Sequence, residues 1–123
     1  MDFEWSGYLS LNRENVNSII ASTPGVYKLA FWNGESWTPF YVGQSDDLSV
    51  RMGQYLILDT DNDCIKNHIR RYSCGFNLAK VVGQANRDVA ERTLYDHYSA
   101  NFDLCNDPDC IPDVQPVHVN AWN

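Results

Sequence analysis

Two β-rich runs joined by an Asn-Gly turn limit this chain more than any other feature. Gly25–Trp32 (GVYKLAFW) and Trp37–Gly43 (WTPFYVG) are dense in aromatic and β-branched residues, which suit a pleated, half-buried surface. Between them lies Asn33-Gly34-Glu35-Ser36. Asn and Gly accept positive φ, so this segment folds the chain back as an antiparallel hairpin. The first run reads as a strand apolar on both faces. Pro39 has no amide hydrogen, so the return strand is expected to have an unpaired edge or a bulge there. With the turn centred on Gly34, Tyr27 falls opposite Tyr41 and the two phenols share a face. A one-residue slip would separate them.

Around the hairpin, apolar periodicity predicts helices. Val16, Ile19 and Ile20 suit a short helix within Leu11–Ala21, broken by Thr23-Pro24-Gly25. Leu48, Met52, Tyr55 and Leu56 line one face of a second helix, capped by Ser45 or Asp46 and running to about Leu58. After the polar loop Asp59–Asp63, Cys64–Tyr72 reads as a third helix and Gly75–Val82 as a third strand. Asn86 or Asp88 opens a last helix through Tyr98, and the proline-bearing, acidic tail from Asp103 is expected to be extended or loop-like. The order predicts an α+β fold (α/β in the broad sense): a small, three-stranded, mainly antiparallel sheet flanked by helices. One domain is expected over residues 1–123, with its core at about 24–106 and the first helix and acidic tail outside it.

Composition excludes some classes. No run is apolar for long enough to span a bilayer, and the start MDFEWSGYLS lacks the pattern of a signal peptide, so a soluble, cytoplasmic protein without a membrane partner is expected. Cys64, Cys74, Cys105 and Cys110 are then expected as reduced thiols buried as small apolar groups. The nearest pair, Cys105 and Cys110, is too widely spaced for the usual zinc pattern, even with His118 added. The net charge of −7 opposes any nucleic-acid partner, although Lys66, His68, Arg70 and Arg71 form a local basic cluster.

Several residues carry possible chemistry. Gly25-Val26-Tyr27 and Tyr41-Val42-Gly43 each set a tyrosine beside a glycine. Arg51 and Tyr55 lie one helical turn apart and can converge. Glu91, near the start of the last helix, could pair with Arg87. Each has a structural explanation as well: core tyrosines, a snorkelling arginine, a helix ion pair.

Together they resemble the signature of the GIY-YIG nuclease superfamily. GVY, the thirteen residues Lys28–Phe40 and YVG are followed by Arg51, eight positions after Gly43. Ala90–Tyr95 is similar to the family's glutamate-bearing helix, and Asn106, with Asn101 as the alternative, matches its later asparagine. The gap between triplets is slightly long, and Tyr55 stands where many members have histidine. The resemblance implies an endonuclease acting on nucleic acid, DNA before RNA, with Tyr27 as general base and Arg51 on a phosphate oxygen. Glu91 would be the single carboxylate ligand of one Mg2+ or Mn2+ ion. Tyr41 and Tyr55 would orient water or phosphate, and Lys66, His68 and Asn106 would touch substrate. It also implies that affinity comes from a protein partner or a homodimer. The alternative is a catalytically inert relative that binds nucleic acid or a protein.

Overall fold

The computed structural model describes residues 1–122, so Asn123, the last residue of the expected domain, lies outside the described residues. The elements are β1 (Leu9–Ser10), α1 (Arg13–Asn17), β2 (Gly25–Trp32), β3 (Trp37–Ser45), α2 (Leu48–Leu56), α3 (Asp63–Arg71), β4 (Cys74–Lys80) and α4 (Gln84–Ser99), with one 3-10 turn at Pro108–Cys110. The sheet is antiparallel throughout and ordered β1-β4-β2-β3. It therefore has four strands, not the expected three. The missed strand is only Leu9–Ser10, pairing with Phe76 and Gly75, too short to show any alternation.

Local chemistry sets the boundaries. The Asn33 side-chain oxygen accepts from the amides of Glu35 and Ser36, both at 2.9 Å, while Gly34 takes φ 101°. This Asx turn makes a four-residue loop and pairs Trp32 with Trp37. The register then shifts between Leu29 and Ala30, which pair with Tyr41 and Pro39, leaving Phe40 as the extra residue of a bulge. The bulge falls beside Pro39 on the strand at the sheet's edge, where a missing amide donor costs least. Tyr27 consequently faces Gly43 rather than Tyr41. The wider loop and the bulge each displace the pairing by one residue, so together they keep Tyr27 and Tyr41 on one face as diagonal neighbours.

Helix starts are also local. Asn12, Asp47 and Asn62 accept backbone amides at the starts of α1, α2 and α3; for α2, Asp47 replaces the expected Ser45 or Asp46. Helix α4 starts at Gln84, earlier than expected, after Gly83 at φ 94°. Helix α1 is shorter than predicted and leaves Ile20 exposed.

Both faces of the sheet are covered. Leu29, Phe40, Leu48, Met52, Ile65 and Phe76 pack on one side under α1–α3, together with Tyr27 and Tyr55. Val26, Val42 and Ala79 meet Ala90, Leu94 and Tyr98 of α4 on the other, where Phe3 and Val119 from the terminal segments join them. Lys28 is buried on this second face; its Nζ donates to Tyr98 Oη at 2.8 Å and lies over the rings of Trp5 and Tyr98, 4.5 Å from each centroid. Desolvation pulls its pKa down to about 8.

The cysteine expectation is corrected. Cys64 and Cys105 form a disulfide across 41 positions of sequence, a pairing that no local spacing could announce. Cys74 is a half-buried thiol and Cys110 an exposed one. No helix among the described residues is long and apolar enough to cross a membrane.

Candidate active site

One face of the β2–β3 hairpin and one turn of α2 build a cluster of phenols around a guanidinium. Tyr27 is fully buried, Tyr55 nearly so and Tyr41 half-buried. The hydroxyls of Tyr27 and Tyr55 hydrogen-bond at 2.6 Å, and the ring centroids of Tyr27 and Tyr41 lie 6.1 Å apart. Arg51, one turn before Tyr55, directs Nη1 to Tyr27 Oη at 3.4 Å and to the carbonyl of Gln44 at 3.5 Å. A groove of about 520 Å3 passes Arg51, lined also by Ser22, Ser45, Asp46, Asp47, Val50 and Gln54.

Gly43 makes the cluster possible. The Tyr27 ring lies against it, and a Cβ at that position would overlap the phenol. Burial sets the protonation of the phenols. Desolvation pushes Tyr27 well above its ordinary value; neighbouring Tyr55 and Tyr41 add to the rise, and Arg51 opposes it. The net shift of Tyr27 is therefore upward despite the guanidinium beside it, because burial outweighs Arg51. Tyr41 and Tyr55 are raised as well, chiefly by burial.

Beside this cluster, α4 presents Glu91, which is 9% exposed. Its carboxylate accepts from Gln44 Nε2 at 3.2 Å, and the same amide donates to Asp88 at 2.8 Å. Gln84 holds this arrangement from below, donating to Gln44 Oε1 and Asp88 Oδ1 at 2.8 Å each. Arg87 turns instead to the Val81 carbonyl and Gln84 Oε1, so the alternative explanation of Glu91 as its ion-pair partner does not hold. Desolvation, then the charge of Asp88, raises the Glu91 pKa; the Gln44 hydrogen bond and the Arg51 charge act against the rise. The sequence reading missed Gln44 and Asp88. Asp88 stands three residues before Glu91, a helical spacing that sets two carboxylates on one face and could have signalled it.

The remaining candidates lie elsewhere. Lys66 and His68 are on α3, and His68 stacks on Phe40 with centroids 4.4 Å apart. Asn106 brackets β3: Val42 N donates to its Oδ1 at 3.1 Å and its Nδ2 donates to Val42 O at 2.7 Å. Both halves of its amide are thereby taken up in closing the sheet edge beside Tyr41 and Gly43. Asn106→Ala is expected to cost about 1–3 kcal/mol by stranding Val42's backbone groups, read as a lower urea midpoint with unchanged slope.

No protein-family model and no curated protein sequence matches this chain. Solved structures do. Three are of the GIY-YIG N-terminal endonuclease domain of UvrC from Thermotoga maritima, each with one tyrosine replaced by phenylalanine and each bound to its catalytic divalent cation. They match at 19% identity with TM-scores of 0.55, 0.55 and 0.53, covering 78% of this chain and 99%, 100% and 99% of theirs. The chain has the GIY-YIG fold. Within that fold, Tyr27 and Tyr41 come from the two hairpin strands, Arg51 from the helix after them, and Glu91 from the long helix covering the opposite face of the sheet.

Proposed function

We propose that this chain is a metal-dependent endonuclease that hydrolyses phosphodiester bonds in nucleic acid, DNA in preference to RNA. The observation that carries this reading is the convergence of three phenols and one guanidinium beside a buried carboxylate whose hydrogen-bond partner, among the described residues, is a single neutral amide. A core tyrosine cluster has no need of Arg51, and a buried Glu91 is costly unless a cation offsets it.

The donors suit a hard cation. Glu91 and the adjacent Asp88 offer only oxygen, the ligand preferred by Mg2+ and Mn2+. Glu91, with Asp88 at its side, would hold the ion, which when bound supplies charge stabilisation to the departing oxygen. Arg51 binds nonbridging phosphate oxygens through its planar fork and stabilises the charge that grows there. Tyr41, the most accessible of the three phenols, orients the attacking water or the phosphate. Tyr27, in its phenolate form, receives the proton from water and becomes the phenol, with the Tyr55 hydroxyl hydrogen-bonded to its oxygen.

A base with a raised pKa gives a definite pH signature. Below that pKa the phenolate fraction falls tenfold per unit, so kcat/KM is expected to rise about tenfold per pH unit between roughly pH 7 and 9. Tyr27→Phe is expected to lower the rate by about two to four orders of magnitude and to abolish the slope. A flat wild-type profile contradicts Tyr27 as base.

The test of substrate class is incubation with supercoiled plasmid, branched DNA and structured RNA at low salt, with Mg2+ or Mn2+. Low salt matters because a chain of net charge −7 binds polyanions weakly. That charge favours a second reading, a GIY-YIG-like domain that binds without cutting; bound but intact substrate in every lane supports it.

A further inference from the structure

The disulfide and its neighbour His68 form a second cluster, apart from the phenols, Arg51 and Glu91. Cys64 and His68 are four residues apart on α3, so both project from one face of the helix. Cys105 arrives from the segment after α4, held by its amide donating to Phe40 O at 2.6 Å and by Asn62 Nδ2 donating to its carbonyl at 3.0 Å. The sulfurs of Cys64 and Cys105 lie 3.9 and 3.6 Å from His68 Nδ1. Among the described residues, these form the one cluster of three His, Cys or carboxylate ligand atoms within 4.8 Å of one another.

We propose that, in the reduced protein, Cys64, His68 and Cys105 bind one zinc-class ion. Two thiolates and an imidazole are a soft-to-borderline donor set, matched to zinc and not to the hard ion of an oxygen site. With Zn–S near 2.3 Å and Zn–N near 2.0–2.1 Å, a tetrahedral ion spaces its sulfur and nitrogen ligands roughly 3.6 Å apart. The imidazole already stands at that spacing from both sulfurs, which need only part to roughly 3.8 Å. His68 is held for the task by its stack on Phe40, at an interplanar angle of 14°. Its Nδ1 now faces the Cys64 carbonyl at 2.8 Å, and coordination exchanges that contact for the ion. Cys64 is exposed, which gives the ion an entry path, and water completes the fourth position.

The chemistry balances with a dithiol as reductant. Two electrons and two protons pass from the dithiol to the Cys64–Cys105 bond, giving two thiols and a cyclic disulfide. Zinc then displaces both thiol protons. Either state, covalent or coordinated, ties α3 to the segment whose next residue, Asn106, pins β3. The site thus lets the same cross-link persist under oxidising and reducing conditions.

The test uses the full chain, reduced with dithiothreitol and desalted without oxygen, then titrated with Zn2+ alone and, in parallel, with Co2+. The expected result is one more Zn2+ per reduced chain than per oxidised chain, with a thiolate-to-cobalt charge-transfer band in the near ultraviolet that only the reduced chain gives. Cys64→Ser, Cys105→Ser and His68→Gln each lose the band and that additional zinc, while Cys74→Ser and Cys110→Ser keep both. Three results overturn the proposal: equal zinc in oxidised and reduced protein, the additional zinc retained by Cys64→Ser and Cys105→Ser, or a disulfide that stays closed in the reductant. Circular dichroism identifies folded variants, and Cys110→Ser measures the background from unrelated thiols.

Discussion

Glu91→Gln is expected to abolish divalent-cation binding and to lower cleavage by about three orders of magnitude or more. The substitution is close to isosteric, and glutamine retains an oxygen that can accept from Gln44 Nε2, now 3.2 Å from the carboxylate. What it removes is the charge. Because burial already disfavours that charge and raises the Glu91 pKa, the variant is expected to fold at least as stably as the wild type. Activity and stability thus move apart, which a purely structural Glu91 does not predict. Calorimetric titration with Mn2+ reads the binding and single-turnover cleavage reads the rate. Wild-type cleavage in the variant would remove Glu91 from the account.

Gly43→Ala is expected to damage both fold and site, destabilising the fold by about 3 kcal/mol, at the upper end for overpacking. A Cβ at this position would overlap the ring of Tyr27, which is fully buried and hydrogen-bonded at its tip to Tyr55 at 2.6 Å. The ring has no room to yield without breaking that bond and its contact with Arg51. Cleavage is therefore expected to fall beyond what lost stability explains. Guanidinium unfolding measures the first effect, and rates at a temperature where the variant is folded measure the second. A variant as stable as the wild type contradicts the packing described.

What the sequence revealed, and what it hid, follows from range. The Asn-Gly turn, the β-rich runs and the Leu48–Met52–Tyr55 face are encoded within a few residues, and they gave the hairpin and α2 nearly at their observed bounds. Pro39 even marked the place of the bulge. The pairing of Tyr27 was misread because loop width and the Phe40 bulge each move the register by one, and neither width nor bulge is fixed by composition. β1, with two residues, carries no periodicity at all. The disulfide joins residues 41 apart, and Asn106 reaches Val42 across 64 positions. Gln44 lay within the motif region but looked like an ordinary polar residue, since its link to Asp88 and Glu91 exists only once α4 crosses the sheet. Tyr27 was recognisable as a candidate while its raised pKa was not, because burial depth is a property of the assembled core.

The most direct measurement is the initial rate of nicking of supercoiled plasmid at low salt, as Mg2+ or Mn2+ is raised from zero, for wild type, Arg51→Ala and Glu91→Ala. The account predicts cleavage that saturates with cation in the wild type, stops on chelation and is lost in both variants. Cleavage indifferent to chelator, or surviving in the variants, contradicts it, as does a folded wild type that cuts nothing at any cation concentration.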